Sequence, residues 1–327
     1  MKTNFFQKII KRPRLIVQLL FLAVTNGYLY GFATGRIYTG PAKTLCVPGL
    51  NCYSCPGALG SCPIGSLQAV LASRNYRFSF YVVGFLMLFG SVFGRFICGW
   101  LCPFGLVQDL LYRIPVPAPF KKWISKRKNL PGHRILVWAK YLILVGFVVI
   151  LPLIAVDIIG QGSPWFCKYI CPSGTLGAGI PLLLTNEPLR QAAGFLFQWK
   201  FAILVFLLIL SVLIYRPFCK YICPLGAVYS LFNPIALYRY QVRKDSCIKC
   251  GKCQKACGMD IRVWETPNNP ECIRCGDCVK ACPTGALQRN CLRSVNHRKC
   301  QKAHSGIVSS RQGLGQARTL VRRLYKK

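Results

Sequence analysis

The chain has 327 residues, of which 53% are hydrophobic and 16% charged, and its 43 Lys and Arg against 8 Asp and Glu give a formal net charge of +35. This basic excess first suggests nucleic-acid binding. Much of it flanks apolar segments, where it suits anionic lipid head groups better. We therefore expect a membrane protein and no nucleic-acid partner.

Four windows are long and apolar enough to cross a bilayer core of ~30 Å. They cover residues 15–34, 80–97, 135–155 and 199–215. No small-x-small cleavage motif follows the first window, so we interpret it as a retained span rather than a signal peptide. The sequence therefore predicts an α-helical membrane domain with four spans over residues 1–239.

Basic residues are unevenly distributed among the loops between these windows. The first 14 residues and the loop after the second window are rich in Lys and Arg, whereas the other two loops are poorer. Because cytoplasmic loops carry the excess of Lys and Arg, both termini are expected to be cytoplasmic. The predicted location is a bacterial or archaeal cytoplasmic membrane, crossed several times.

A tetrapeptide Cys-Pro-x-Gly occurs four times in the predicted membrane domain, at 62–65, 102–105, 171–174 and 223–226. Each copy precedes a short, partly apolar segment, which suggests duplication of a two-span element. In three copies another cysteine lies four residues earlier, so that both thiols share one face of a helix. These pairs are Cys98 and Cys102, Cys167 and Cys171, and Cys219 and Cys223.

The predicted topology sorts these cysteines into two sites. The cytoplasmic ends of the second and fourth spans predict a [4Fe–4S] site made by one set of four thiolates: Cys98, Cys102, Cys219 and Cys223. An arginine precedes the first cysteine of each pair by three residues, Arg95 and Arg216. Each guanidinium is placed to neutralise the buried anion and to donate to its sulfurs, so both arginines are predicted to bind the cofactor.

A second membrane site is predicted on the outer side. Cys62, Cys167 and Cys171 would supply three thiolates, with Cys55 preferred to Cys52 as the fourth. Two alternatives stay open: the cysteines serve only as packing residues, or Cys46 and Cys52 form an outer-face disulfide.

The C-terminal part contains two CxxCxxCxxxC runs, which is the spacing of a bacterial two-cluster ferredoxin. Because the fourth cysteine of each run serves the other cluster, one predicted set is Cys247, Cys250, Cys253 and Cys282, and the other is Cys272, Cys275, Cys278 and Cys257. Zinc sites usually use separated CxxC pairs, so a zinc or disulfide alternative fits less well. Residues 240–290 are therefore predicted to form a cytoplasmic ferredoxin-like α+β domain.

The last segment, residues 291–327, is basic and lacks periodicity, which predicts a mobile tail. Its Cys291, His297, Cys300 and His304 leave zinc binding open as an alternative. With three histidines in the chain, and no CxxCH, GxGxxG or P-loop pattern in a suitable context, haem, NAD and ATP sites are not expected.

With RFICGWLCPFG, RPFCKYICPLG and the two ferredoxin runs, residues 1–290 resemble the NapH/NosR-type membrane polyferredoxins. The resemblance implies [4Fe–4S] ligation by the eight ferredoxin cysteines, a redox role for the four inner cysteines, and electron transfer to extracytoplasmic partners, often in quinol-linked respiratory chains. The cysteine-rich loop at 46–62 and the pair at Cys167 and Cys171 depart from the pattern. They suggest an exit site of its own, suited to a flavin- or haem-bearing protein.

The sequence thus predicts a membrane electron-transfer subunit, rather than a stand-alone enzyme, with two to four [4Fe–4S] clusters and no catalytic residue. It would relay electrons between a cytoplasmic donor or acceptor and an extracytoplasmic redox partner. The alternatives are a quinol dehydrogenase subunit that binds quinone and an accessory reductase for metalloenzyme maturation. Sites at opposite faces of a ~30 Å core lie too far apart for a fast single hop. We therefore expect the cysteine turns to dip inward or a further cofactor to lie between them.

Overall fold

A computed structural model describes residues 13–73, 80–114, 129–155 and 162–291. The first half contains α1 (Pro13–Thr25), α2 (Leu29–Thr34), a 3₁₀ turn (Pro41–Thr44), α3 (Pro63–Ala72), α4 (Phe80–Phe93), α5 (Phe96–Trp100) and α6 (Pro103–Leu111). The second half contains α7 (His133–Ile154), α8 (Trp165–Tyr169), α9 (Pro172–Gly174, Thr175–Gly179 and Ile180–Thr185), α10 (Glu187–Gln191), α11 (Phe195–Leu213), α12 (Pro217–Tyr221) and α13 (Pro224–Phe232). The C-terminal part adds β1 (Tyr238–Val242), α14 (Lys252–Ala256), α15 (Asp277–Ala281) and β2 (Leu287–Cys291).

Each Cys-Pro-x-Gly copy begins a helix in the same way. Cysteines 62, 102, 171 and 223 are extended N-cap residues, and the proline after each is the first helical residue. Proline suits this position because its fixed φ matches the helix and its missing N–H is not needed there. The repeat therefore places four thiols at helix N-termini, where the helix dipole favours negative charge.

Two helices contain π-helical stretches, and in both cases a proline follows. In α7 the stretch Leu144–Ile150 precedes Pro152, and in α9 the stretch Thr175–Gly179 precedes Pro181. Proline removes one hydrogen bond and crowds the carbonyl four residues earlier. The wider π turn relieves this crowding, so each helix continues through its proline.

Two of the four predicted spans are long and apolar enough to cross a membrane, namely α7 with 22 residues and α11 with 19. Within the best window of each, 17% of residues are buried, unlike a core helix of a soluble protein. By length and composition, both helices could cross a membrane.

The first two predicted spans are shorter helices in the structure. α1 has 13 residues and ends where the chain turns at residues 26–28, and α4 has 14 and ends at Gly94, whose φ is +53°. At 1.5 Å per residue the described part of each helix is about 20 Å long. Among the described residues the four apolar windows thus contain two long helices and two shorter ones, which end at Thr25 and Phe93, before their windows do. Four full spans stay a prediction.

The ferredoxin-like part is built on a two-stranded sheet of β1 and β2. Gly251 and Gly276 precede α14 and α15 with φ of +69° and +84°. This left-handed conformation suits glycine, and it turns each cysteine loop sharply into its helix.

The described residues up to Arg289 form one compact unit, and its hydrophobic core is continuous from Ile64 through Cys98 to Ile273 and Leu287. The predicted membrane and ferredoxin domains therefore share a core. Of the predicted tail, the structure describes the backbone of Cys291 at the end of β2, while His297, Cys300 and His304 lie outside the described residues.

Candidate iron–sulfur sites

The ferredoxin cysteines line two separate cavities. One is lined by Cys247, Cys250, Cys253 and Cys282, together with Trp264 and other residues. The other is lined by Cys257, Cys272, Cys275 and Cys278, together with Tyr240 and other residues. The structure thus brings together the same two sets of four that the crossover rule predicts. We name them the distal and the proximal ring, respectively.

Four cysteines line each of these two cavities, and this all-thiol donor set suits an iron–sulfur cube. A zinc ion would draw four thiolates to about 2.3 Å from one point. Thiols that surround a cavity suit a cube, in which each thiolate binds a different iron.

The four inner cysteines also form a ring. Cys98, Cys102, Cys219 and Cys223 are all buried, and each lies close enough to others of the set for their charges to interact. The backbone N–H of Gly226 donates to the sulfur of Cys223 over 3.3 Å. This inner ring therefore already presents N–H donors to its thiols.

Arg95 and Arg216 contact the inner ring from opposite repeats. Arg95 Nη2 donates to the carbonyl of Cys219 over 2.9 Å, and Arg216 Nη1 donates to the carbonyl of Cys98 over 2.5 Å. Both side chains are fully buried, and each guanidinium has a Coulombic contact with a cysteine of the ring. Both arginines thus lie beside the ring, and their bonds to backbone carbonyls cross between the repeats, so that each arginine contacts the other motif.

Carboxylates compensate both buried arginines. Asp109 accepts from Arg216 Nε over 2.8 Å and from Arg216 Nη2 over 2.5 Å, and it also accepts from Arg14. Burial acts to raise the pKa of Asp109, but Arg216 and Arg14 outweigh it, so the pKa lies below its usual value. Glu271 of the ferredoxin-like part pairs with both Arg95 and Lys140.

An outer ring lies at a cavity of about 730 Å³. The cysteines that line it are Cys52, Cys62, Cys167 and Cys171. Lys200 also lines the cavity and donates to the carbonyl of Cys167 over 3.1 Å. Lys43 is buried nearby, donates to the carbonyl of Ala58 over 2.7 Å, and has Coulombic contacts with Cys52 and Cys55. Lysines thus occupy the role that arginines have at the inner ring.

The structure places Cys52 in this ring rather than the predicted Cys55. The Cys55 N–H donates to the carbonyl of Cys52 over 3.1 Å, so the two residues share a tight turn, and of the two only Cys52 lines the cavity. The sulfur of Cys55 instead lies 3.7 Å from Asn26 Oδ1. In the first repeat Ala58 occupies the position of the first cysteine of the other repeats. Cysteine spacing therefore could not distinguish Cys52 from Cys55.

The glycines of the motif support the same assignment. A Cβ on Gly65 would lie 3.8 Å from the sulfur of Cys167, and a Cβ on Gly174 would lie 3.5 Å from the sulfur of Cys52. Each glycine therefore faces the opposite repeat. By this relation Cys52 occupies the position of the missing first cysteine.

Sequence reasoning missed two glutamines that donate to sulfur. Gln68 Nε2 donates to Cys167 over 3.3 Å, and Gln108 Nε2 donates to Cys219 over 3.2 Å. Both glutamines lie six residues after the cysteine of their own Cys-Pro-x-Gly motif, and both are fully buried. This shared spacing in two motif copies could have identified both glutamines from the sequence.

The proximal ring packs directly against the inner ring. Asn233 Nδ2 donates to the carbonyl of Cys272 over 2.9 Å, and its Oδ1 accepts from the Arg95 N–H over 3.1 Å. A Cβ on Gly99 would lie 2.2 Å from the carbonyl oxygen of Ile273, so only glycine fits there. Residues next to both rings are therefore in contact.

A loop segment joins the inner ring to the outer ring. A Cβ on Gly49 would lie 3.2 Å from the Cα of Cys102, so this loop packs against the inner ring, and Cys52 follows three residues later. Tyr229, fully buried, donates to the carbonyl of Pro48 over 3.0 Å and lies near cysteines of both rings. The cysteine turns of the two rings thus approach each other inside the protein. This is one of the two arrangements expected from the sequence, in which the turns dip inward to shorten the distance between the sites.

A family model described as a 4Fe–4S binding domain matches this chain three times, over residues 75–131, 140–184 and 197–237. These segments contain the Cys-Pro-x-Gly copies at 102–105, 171–174 and 223–226, in agreement with the internal repeat. A second family model, also a 4Fe–4S binding domain, matches residues 267–288. No solved structure matches the chain.

Among curated proteins, an uncharacterized protein of Methanocaldococcus jannaschii is 30% identical over 55% of this chain and 65% of its own length. The methylamine utilization ferredoxin-type protein MauN of Methylobacillus flagellatus is 28% identical over 54% and 51%. The regulatory protein NosR of Pseudomonas aeruginosa is 26% identical over 76% of this chain and 30% of its own length. The chain thus spans less than two thirds of these relatives. The two kinds of matching domain show a protein with 4Fe–4S binding domains, and its relatives are ferredoxin-type proteins, so the chain is a 4Fe–4S binding polyferredoxin similar to NosR-type proteins.

Proposed function

We propose that this protein relays electrons across the membrane, between a cytoplasmic donor or acceptor and an extracytoplasmic redox partner, with a [4Fe–4S] cluster held by each of the four cysteine rings. When bound, the clusters supply one-electron carriers. The observation that carries the proposal is the order of the four rings, which is distal, proximal, inner and outer. Residues beside each ring contact residues beside the next one. The chain's residues hold and separate these carriers.

Contacts at each junction support this order. Cys253 and Cys257 lie four residues apart on one short helical turn, and they line the distal and proximal rings, respectively. Asn233 contacts residues of both the proximal and the inner sites. Gly49 and Tyr229 span the distance between the inner and outer rings.

The protein also provides compensating charge where it removes water. Arg95, Arg216, Lys43 and Lys200 lie beside the membrane thiols, where an anionic site would otherwise be costly to bury. Asp109 and Glu271 hold the two arginines in position. The positive charge near the predicted spans thus serves ligand sites, in addition to lipid anchoring.

Iron and acid-labile sulfide per chain, measured on anaerobically purified protein, provide the first test. Four cubes require about 16 iron atoms per chain. A Cys102→Ala variant should lose about four of them, whereas Cys46→Ala, which changes a buried cysteine outside the four rings, should retain all. About eight iron atoms in the wild type would contradict the proposal and favour the quinol dehydrogenase alternative.

Transfer across a membrane is tested in liposomes that contain the protein and enclose ferricyanide. Dithionite added outside cannot cross the bilayer, so reduction of the enclosed ferricyanide reports electrons carried by the protein. We expect wild type and Cys46→Ala to reduce it and Cys102→Ala to be inactive. Equal rates for all three, or no rate above empty liposomes, would refute a relay through the inner ring.

A further inference from the structure

The two ferredoxin loops have nearly the same sequence but opposite surroundings. The first reads Cys-Ile-Lys-Cys-Gly-Lys-Cys from Cys247, and the second reads Cys-Ile-Arg-Cys-Gly-Asp-Cys from Cys272. Lys249 and Arg274 share an unusual positive φ, 49° and 53°. The loops are therefore similar in local backbone as well as in sequence, and differences between them report what each one contacts.

The second loop is buried against the rest of the chain. Ile273 and Arg274 are each 1% exposed. Arg274 donates to the carbonyls of Phe93 and Asn233 over 2.8 and 2.7 Å, and its own carbonyl accepts from Trp100. Ile273 and Arg274 thus together form the contact of this loop with the rest of the chain, where backbone carbonyl oxygens accept from the arginine.

The first loop presents the same pair of residues to solvent. Ile248 is 65% exposed, and Lys249 and Cys250 are exposed. Nearby residues are mostly basic: Arg243, Lys244 and Lys252 are exposed, and the exposed carboxylate within residues 243–252 is Asp245. We name Arg243, Lys244, Ile248, Lys249 and Lys252 the distal face.

We propose that the distal face is the docking site for a small, soluble, acidic electron-transfer protein, with Ile248 as the apolar centre of the contact and the basic residues as its rim. The inference rests on the proposed function, because it takes the distal ring as an electron-carrying site. Charge complementarity determines the kind of partner, because a basic rim around an accessible cofactor speeds association with an acidic protein and repels basic proteins. The exposed thiol of Cys250 shortens the distance that an electron crosses in the complex.

The test uses full-length, iron-loaded protein in nanodiscs of phosphatidylcholine, so that no anionic lipid competes for the rim. The probe is an acidic flavodoxin in its fully reduced, anionic form. One electron leaves the flavin and enters the chain, and stopped-flow absorbance follows the one-electron-oxidised flavin. We expect the second-order rate constant to fall on the order of tenfold between low salt and 0.3 M salt, because ions screen the contact.

Charge-reversed variants locate the contact. Lys249→Glu and Lys252→Glu should each slow the low-salt reaction severalfold, whereas Arg262→Glu, at a 65% exposed arginine of the same module, should change it less than twofold. A zwitterionic viologen should reduce all variants equally fast. Iron content identifies any variant that has lost its cluster. The salt dependence of the wild-type rate tests the proposal even if a variant fails to fold.

A rate independent of salt, or equal slowing by Arg262→Glu and Lys249→Glu, would overturn the proposal. The liposome measurement keeps the two proposals separate. Fast, salt-dependent reduction by flavodoxin without reduction of enclosed ferricyanide would support the distal face and refute the transmembrane relay. Salt-independent reduction together with reduced ferricyanide would do the reverse.

Discussion

The inner and outer rings derive from the same repeat but differ in symmetry and access. At the inner ring each repeat contributes two cysteines and one arginine, and Arg95 and Arg216 make reciprocal contacts across the pair. At the outer ring one repeat lacks its first cysteine, and a loop supplies Cys52 instead. The inner thiols are buried, whereas Cys52 and Cys167 are partly exposed at the large cavity.

This difference indicates separate requirements. A site enclosed between two others needs fixed geometry and full charge compensation, which the arginine–carboxylate pairs supply. A site at the end of the series needs access, which the outer cavity supplies. Duplication thus produced two similar sites, and only the inner one retained the two-fold arrangement.

The largest expected effect concerns the fourth thiol of the outer ring. Cys52→Ala should lose about four of 16 iron atoms per chain, because a cube held by three thiolates is exposed to loss. Its matched control is Cys55→Ala, three residues away and outside the cavity, which should keep its iron. Iron loss from Cys55→Ala alone would restore the original prediction for this site.

Breaking the inner charge pair should cost the next largest amount. Asp109→Asn leaves the buried Arg216 without its carboxylate, for which about 3–5 kcal/mol of unfolding free energy is expected. Glu187→Gln removes a solvent-exposed pair with Arg190 and should cost less than about 1 kcal/mol. Thermal unfolding in detergent measures both. Equal losses would show that the inner pair has no special role in stability.

Substitution of alanine for the glycine of a Cys-Pro-x-Gly motif tests how tightly the inner and outer rings are packed. A Cβ on Gly105 would lie 3.1 Å from the Cys98 carbonyl and 3.2 Å from Arg216, so about 1–3 kcal/mol of destabilisation is expected. A Cβ on Gly65 would meet only the sulfur of Cys167, at 3.8 Å. Gly65→Ala should therefore be neutral or stabilising by up to about 1 kcal/mol. A greater loss from Gly65→Ala in thermal unfolding would contradict this comparison.

The smallest effect is expected at the two sulfur-bonded glutamines. Gln108→Leu and Gln68→Leu each remove a donor to a thiolate, which should lower the reduction potential of that site by tens of millivolts. Redox titration followed by EPR measures both shifts. Gln68 also accepts from the Phe166 N–H over 3.0 Å, so its variant should in addition lose about 1–3 kcal/mol of stability. An unchanged potential in both variants would exclude this tuning.

Much of the candidate site was predictable from cysteine spacing. The distal and proximal rings follow from two local runs and one crossover rule, and the structure groups the same cysteines. The inner ring followed from repeat symmetry between Cys98 and Cys219. The C-terminal ends of the first two apolar helices were not predictable in this way, because hydropathy windows do not register the turn at residues 26–28 or the left-handed Gly94.

The sequence by itself determined which residues carry thiols and which neighbours share a turn, since spacing of three or four residues sets those relations within a single helix or loop. Only the tertiary structure decided the choice of Cys52, the crossed contacts of Arg95 and Arg216, and the approach of Gly49 to Cys102. Each of these joins segments far apart in the chain. Their positions depend on how the repeats pack together, and no local spacing rule contains that information.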